Sequence, residues 1–214
     1  EDVSWITAVG IISDMGQKTW GEFLREILKH HNFEIKEDWY DTVPGKIAQI
    51  INSATSVNPI RTEEAIAMLV NSTPKEILKS PLAELNNDIN AEIAKQMAEP
   101  VASFHDGLLN IQVIKDPSYS IGGVVSNKRS VAELNKAFIT ITVFGAKLKV
   151  SARSQEYKVP MNKLLKQSIK DFKNANAGGH DPASGAALPT KYLDKFKKNL
   201  VEVFGELLQL NTAS

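Results

Sequence analysis

Two short segments of this chain carry the residue types that could do chemistry. The first is Ala177-Gly178-Gly179-His180-Asp181-Pro182-Ala183-Ser184-Gly185-Ala186, where glycine-containing tight spots flank a single imidazole. Glycine lacks a Cβ, so it takes left-handed geometry and lets successive N–H groups approach an anion, while a neighbouring histidine donates a hydrogen bond or carries charge. Taken alone, Gly-Gly-His is equally the signature of a simple turn. The second segment is Val150-Ser151-Ala152-Arg153-Ser154. It closes a predicted strand on a guanidinium whose planar fork of donors suits phosphate, although a surface ion pair is the plainer role for such an arginine. The two segments together suggest a phosphate-gripping pocket. Arg153, flanked by Ser151 and Ser154, would form one wall and Gly178, Gly179 and His180 the other, with Ser184 and Gly185 shaping the loop.

The elements that must position these groups follow from periodicity. Ile139, Ile141 and Val143 alternate with Thr140 and Thr142, and Gly145-Ala146 turns that strand into a second one over Lys147–Arg153. In the second strand Leu148, Val150 and Ala152 share one face, which leaves Lys147, Lys149, Ser151 and Arg153 on a basic face. Helical spacing recurs from Met161 to Phe172 and from Leu193 to Leu207, so the glycine segment reads as a loop held between packed elements. Upstream, the pattern predicts a strand over Leu108–Ile114 and a helix from Ile121 to Leu134 that opens on Gly122-Gly123. His105-Asp106-Gly107 marks a boundary. The first hundred residues are mostly helical by pattern. Thr73-Pro74-Lys75-Glu76 has the hydroxyl, first-turn proline and third-position glutamate of a helix start, and Leu85, Ile89, Ile93, Met97 and Val101 form the stripe of a connector helix ending near Phe104. The apolar run Trp5–Ser13 reads instead as a buried parallel strand, with Asp14 at its carboxyl end. Ligands collect at that edge of an open α/β sheet, though an aspartate capping the following turn explains Asp14 equally well. The fold class predicted is α/β: the helical remainder of a parallel-sheet domain, followed by a small mixed-sheet α/β domain.

Composition narrows the function. At 214 residues and 43% hydrophobic, the chain can bury one large core or two small ones. Without cysteine there is no disulfide framework, thiolate nucleophile or thiolate metal site. No apolar run approaches the roughly 20 residues that span a bilayer, and no basic-then-apolar leader opens the sequence, so a cytoplasmic protein without membrane attachment is expected. The chain begins with Glu1 rather than Met, and an upstream portion is expected. Net charge is zero but unevenly spread. Residues 1–100 hold nine Lys/Arg against sixteen Asp/Glu, whereas residues 146–214 hold twelve against six. A solvated helix face explains lysine-rich stretches more often than nucleic acid does, so this asymmetry supports phosphate binding without establishing it.

The pair of motifs VSARS and GGHDPASGA resembles the substrate-binding domain of DHH-family phosphoesterases, the group that holds RecJ exonucleases and small oligonucleotide-degrading enzymes. Pro59-Ile60-Arg61-Thr62-Glu63-Glu64-Ala65 and Pro74-Lys75-Glu76-Ile77-Leu78 look like archaeal RecJ-like proteins in particular, and Ile12-Ser13-Asp14-Met15-Gly16 resembles the family's last metal-ligand segment, with Asp14 as the ligand. The resemblance implies that residues 1–104 are the carboxyl-terminal part of a DHH catalytic domain with its connector, and that residues 107–214 bind the substrate. It implies a single-stranded DNA or RNA partner, manganese in a complete enzyme, and a place in DNA replication or repair. The other metal-binding aspartates and the Asp-His-His triplet are absent, and Lys29-His30-His31 lacks the leading aspartate. No catalytic residue set is therefore expected in this chain alone. The alternative implied is a catalytically silent subunit that accompanies GINS and the replicative helicase.

Overall fold

A computed structural model describes residues 2–57, 59–156 and 158–212. The chain divides into two compact units, residues 1–91 and 92–214.

The first unit is helical. Helix α1 (Ser4–Ser13) is followed by α2 (Gln17–His30), a 3-10 turn at Trp39–Asp41, α3 (Val43–Val57), α4 (Pro59–Asn71), α5 (Pro74–Ile77) and the start of α6 (Pro81–Ala98). The strand predicted over Trp5–Ser13 is therefore a helix. Its buried residues are Trp5, Ala8, Val9 and Ile12, one stripe at helical spacing, while Thr7 and Gly10 are exposed. A continuous apolar run hides such a stripe, because periodicity alone does not separate a short buried helix from a buried strand. Trp5, Ile12, Leu24, Ile47, Ala65, Ile77 and Leu82 close the core of this unit. The start predicted at Thr73 is present as a complete capping box. Thr73 Oγ1 accepts from the Glu76 N–H, and the Glu76 carboxylate accepts from the Thr73 N–H at 2.7 Å, which holds that carboxyl below its ordinary range.

The second unit is a six-stranded mixed sheet with helices on both faces. Its strands are β1 (Ala102–Phe104), β2 (Leu109–Lys115), β3 (Ala137–Phe144), β4 (Lys147–Ser154), β5 (Asn176–Gly179) and β6 (Ala183–Pro189), in the spatial order β1-β2-β3-β4-β6-β5. Only β2 and β3 are parallel, joined through α7 (Gly122–Ala132); the other neighbours are antiparallel. The connector does not reach Phe104. Helix α6 stops at Ala98, ahead of Glu99-Pro100, where proline disfavours helical geometry in the residue before it, and Ala102–Phe104 pairs with β2 instead. Leu148, Val150 and Ala152 point as predicted into the main core, which they share with α8 (Met161–Ser168) and with Phe196, Leu200 and Phe204 of α9 (Leu193–Thr212). Helix α7 covers the opposite face. Its approach is close: a Cβ on Gly122 would stand 2.5 Å from Thr142 Oγ1. No helix among the described residues is long and apolar enough to cross a membrane.

Candidate nucleic-acid interface

The glycine segment is a strand pair rather than a loop. His180 and Ala183 exchange both backbone hydrogen bonds, at 2.8 and 3.1 Å, so Asp181 and Pro182 form the turn of a β5–β6 hairpin. That turn is tied down at both carbonyls: Met161 N–H donates to Asp181 at 2.8 Å and Ser154 N–H to Pro182 at 3.0 Å. Small residues are what let β5 and β6 close so tightly. Gly179 has φ +134, and a Cβ there would lie 2.5 Å from the Ala183 carbonyl oxygen. Any side chain at that position would force the hairpin open.

Register decides which predicted site residues meet. Arg153 pairs with Ala183, and Ala183 in turn pairs with His180, so the guanidinium-bearing residue and the imidazole-bearing residue occupy one row on the same face of the sheet. The next row is Ser151, Gly185 and Gly178; the one after it is Lys149, Ala187 and Asn176. Lys147, Lys149, Ser151 and Arg153 thus line one side of a strip whose floor is glycine and alanine, with His180 exposed at the far corner. Phe144 pairs with Lys147 and is 36% exposed on that same face, a surface on which a base could stack. Tyr157, the other stacking candidate, lies outside the described residues.

Ser154 and Ser184 do not join this strip. Both are buried on the opposite face, and Ser184 Oγ donates to the Gly178 carbonyl at 2.6 Å, bracing β6 against β5. Ser151 faces the strip, but its hydroxyl lies 2.9 Å from Ser126 Oγ and fastens α7 to β4. The consecutive glycine N–H groups expected to face an anion alternate here as they do in any strand. Gly178, in register with the doubly bonded His180–Ala183 pair, turns its N–H toward β6, while that of Gly179 points off the free edge.

Arg153 has no ion-pair partner among the described residues, and its Nε is buried without a hydrogen bond. Among the described residues Lys147 and Lys149 have no carboxylate partner either; Lys149 donates to Ser120 Oγ at 2.8 Å. Sequence reasoning misses Asn176 as a site residue. Two-residue alternation through Asn176–Gly179 would place Asn176 on the basic face, but a segment that reads as a loop offers no alternation to count.

Asp14 is exposed at the carboxyl end of α1, not of a strand, and its N–H closes the helix on the Gly10 carbonyl at 3.0 Å. Among the described residues no cluster of three metal-capable side chains contains it. One carboxylate alone does not fit the metal pair that such hydrolysis uses.

Residues 119–206 match the DHHA1 domain family. No curated protein matches the sequence. Among solved structures, the chain resembles RecJ from Thermus thermophilus in complex with Mg2+, with a TM-score of 0.61 and 17% identity over 86% of this chain and 28% of that one. It also resembles an exonuclease RecJ bound to manganese, at 0.64 and 18% over 92% of this chain and 53% of that one, and CDC45 from Entamoeba histolytica, at 0.53 and 11% over 86% and 44%. The chain thus spans between about a quarter and about half of the length of these structures. At such identities the likeness is one of fold: a RecJ-like fold whose second unit carries the DHHA1 match.

Proposed function

We propose that the second unit grips a single strand of nucleic acid by its phosphates, along the strip bearing Lys147, Lys149, Arg153 and His180, as the binding portion of a RecJ-like DHH phosphoesterase acting in DNA replication or repair. The observation that carries this reading is the shared row of Arg153, Ala183 and His180, with the guanidinium held free of any carboxylate among the described residues. Four residues of strand separate Lys149 from Arg153, about 13 Å, so the cations are spread along a path rather than gathered at a point. An extended polyanion suits that spacing better than a lone phosphate. The glycine and alanine floor lets a sugar-phosphate chain lie close to the backbone, and Phe144 offers a face for a base.

In this reading residues 1–104 end a DHH catalytic domain with its connector and residues 107–214 are the substrate-binding domain. Ser151, Ser154, Gly178, Gly179 and Ser184 shape the grip rather than hold phosphate. Asp14 would contribute one ligand to a manganese site whose other ligands lie outside this chain, and cleavage is not a property of this chain alone. The fold likeness to CDC45 favours a second reading, a catalytically silent subunit working with GINS and the replicative helicase; binding of a displaced strand is common to both.

Fluorescence anisotropy with a labelled single-stranded oligonucleotide tests the grip. Affinity should fall steeply with salt, and Arg153→Ala should weaken it roughly tenfold while lowering the log–log salt slope by about 0.7 for each phosphate the variant no longer holds. Salt-independent binding, or an Arg153→Ala chain that binds like the wild type, would refute the phosphate grip, and unchanged binding by His180→Ala would remove the imidazole from it.

A further inference from the structure

Two consecutive histidines close α2: His30 is its last residue and His31 its carboxyl cap. Neighbouring positions on a helix are turned about 100° apart, so adjacent side chains ordinarily diverge. Here the rings stand edge to face with centroids 5.0 Å apart, and both Nε2 atoms converge on one oxygen, Asp2 Oδ2, at 2.5 and 3.9 Å. The three ligand atoms lie within 4.8 Å of one another. The carboxylate that Lys29-His30-His31 lacks in sequence is thus supplied from the opening of α1.

Ser4 and Phe33 pack against these donors, and a bound ion would take the place of the Ser4 hydroxyl on His31 Nε2. Ser4 N–H donates to Asp2 Oδ1 at 2.8 Å, leaving Oδ2 turned toward the imidazoles. Ser4 Oγ lies 2.8 Å from His31 Nε2, and Phe33 stacks on the His31 ring at 5.6 Å. Hydrogen bonds from Ser4, ahead of the contact with His30, hold the Asp2 carboxyl down at about 2, so it is ionised at any neutral pH. The bland account is a single His30–Asp2 ion pair. That pair and the Ser4–His31 contact account for each ring singly, but neither requires all three donor atoms to lie within 4.8 Å of one another.

We propose that Asp2, His30 and His31 form a binding site for a borderline divalent cation of the zinc type. Two neutral imidazoles and one carboxylate are the donor set such ions favour over the all-oxygen shells of magnesium and calcium. Zinc bonds of about 2.0–2.2 Å place tetrahedral ligand atoms about 3.4 Å apart, so the Asp2–His30 contact opens by less than about an ångström and the Asp2–His31 contact closes by about half of one. The carboxyl end of α2 adds its partial negative charge, which a bound dication offsets. Helix α1 separates this cluster from Asp14 by about 15 Å, ten residues at the helical rise, so the two are independent positions.

The test is isothermal titration of the purified chain with zinc chloride at neutral pH, repeated with cobalt(II) as a spectroscopic probe. One ion should bind per chain with an affinity in roughly the micromolar range and a tetrahedral cobalt spectrum, and His30→Gln, His31→Gln and Asp2→Asn should each weaken it by about tenfold or more. His30 is largely exposed, so His30→Gln keeps the fold even where His31→Gln does not. A zinc-induced rise in melting temperature should accompany binding and vanish in His30→Gln. Absence of saturable one-to-one binding below about 1 mM, or binding that survives His30→Gln and His31→Gln together, would overturn the site.

Discussion

Arg129 and Arg153 belong to the same face of the same sheet, and the structure uses them in opposite ways. Arg129 stands on α7, over the covered part of that face. Its Nε donates to Gln112 Oε1 at 3.1 Å, and its Nη2 reaches the carbonyls of Gln96, Met97 and Glu99 at 3.0, 3.2 and 2.9 Å, the bare end of α6. A cation there satisfies orphan carbonyls and meets the negative end of the helix dipole. Burial pushes its pKa down, yet a guanidinium stays charged. Arg153 lies on β4 between Ser151 and Gln155, which bond to Ser126 and Ser130 of α7, with Ala183 of β6 on its other side, yet it donates to nothing among the described residues. One arginine has its donors consumed by the fold. The other has no partner for its donors among the described residues, and it is the one in line with His180.

The sharpest way to break this contrast is to remove Arg129. With Arg129→Ala the Met97 and Glu99 carbonyls lose their donor while Gln96 keeps one from Gln112 Nε2, and since a carbonyl left without a partner costs about 1–3 kcal/mol when buried and less when part-exposed, a loss of roughly 2 kcal/mol in urea unfolding is expected. Arg129→Lys should recover only part of it, because an ammonium does not present the fork that reaches several carbonyls at once. Unfolding free energies of both variants within error of wild type would show that the covered face does not depend on this arginine.

A smaller effect is expected at Gly122, where α7 meets the sheet. Gly122→Ala introduces a methyl group 2.5 Å from Thr142 Oγ1, which the helix relieves by rising off the strand. Overpacking of this kind costs about 1–3 kcal/mol, and the milder end is expected because a threonine side chain can turn aside. Urea unfolding checks the stability. Oligonucleotide affinity should change little, since among the described residues no cation of the strip hydrogen-bonds to α7, whose bonds to β4 and its end run through Ser151 and Gln155.

How far this division can be read from sequence follows from the same geometry. Alternation through β3 and β4 places Leu148, Val150 and Ala152 on the core face and Lys147, Lys149 and Arg153 opposite, because each strand position has only two sides to choose from. The hairpin that brings His180 into line is hidden. Asn176–Gly179 and Ala183–Pro189 contain glycine, alanine and serine, residues with little strand propensity, and they are strands because β4 templates them. Trp5–Ser13 misleads for the reverse reason, since strong hydrophobicity on every side hides a period. The roles of Arg129 and Ser151 rest on contacts with residues 17 to 33 positions away, Gln112, Gln96 and Ser126 among them, and no local spacing announces those.

The smallest expected effect on stability is the most informative. Arg153→Met keeps the apolar stem and removes a charge whose Nε is buried with no acceptor, so the protein should lose nothing and unfold within about 0.5 kcal/mol of wild type, or at slightly higher urea. The same substitution should weaken oligonucleotide binding as Arg153→Ala does. A residue that costs the fold something and yet carries affinity is held by function, since selection on stability alone would favour its replacement. If Arg153→Met instead destabilises the protein as Arg129→Ala is expected to, Arg153 is a packing residue like its counterpart on α7. The open strip would then lose the group on which its grip depends.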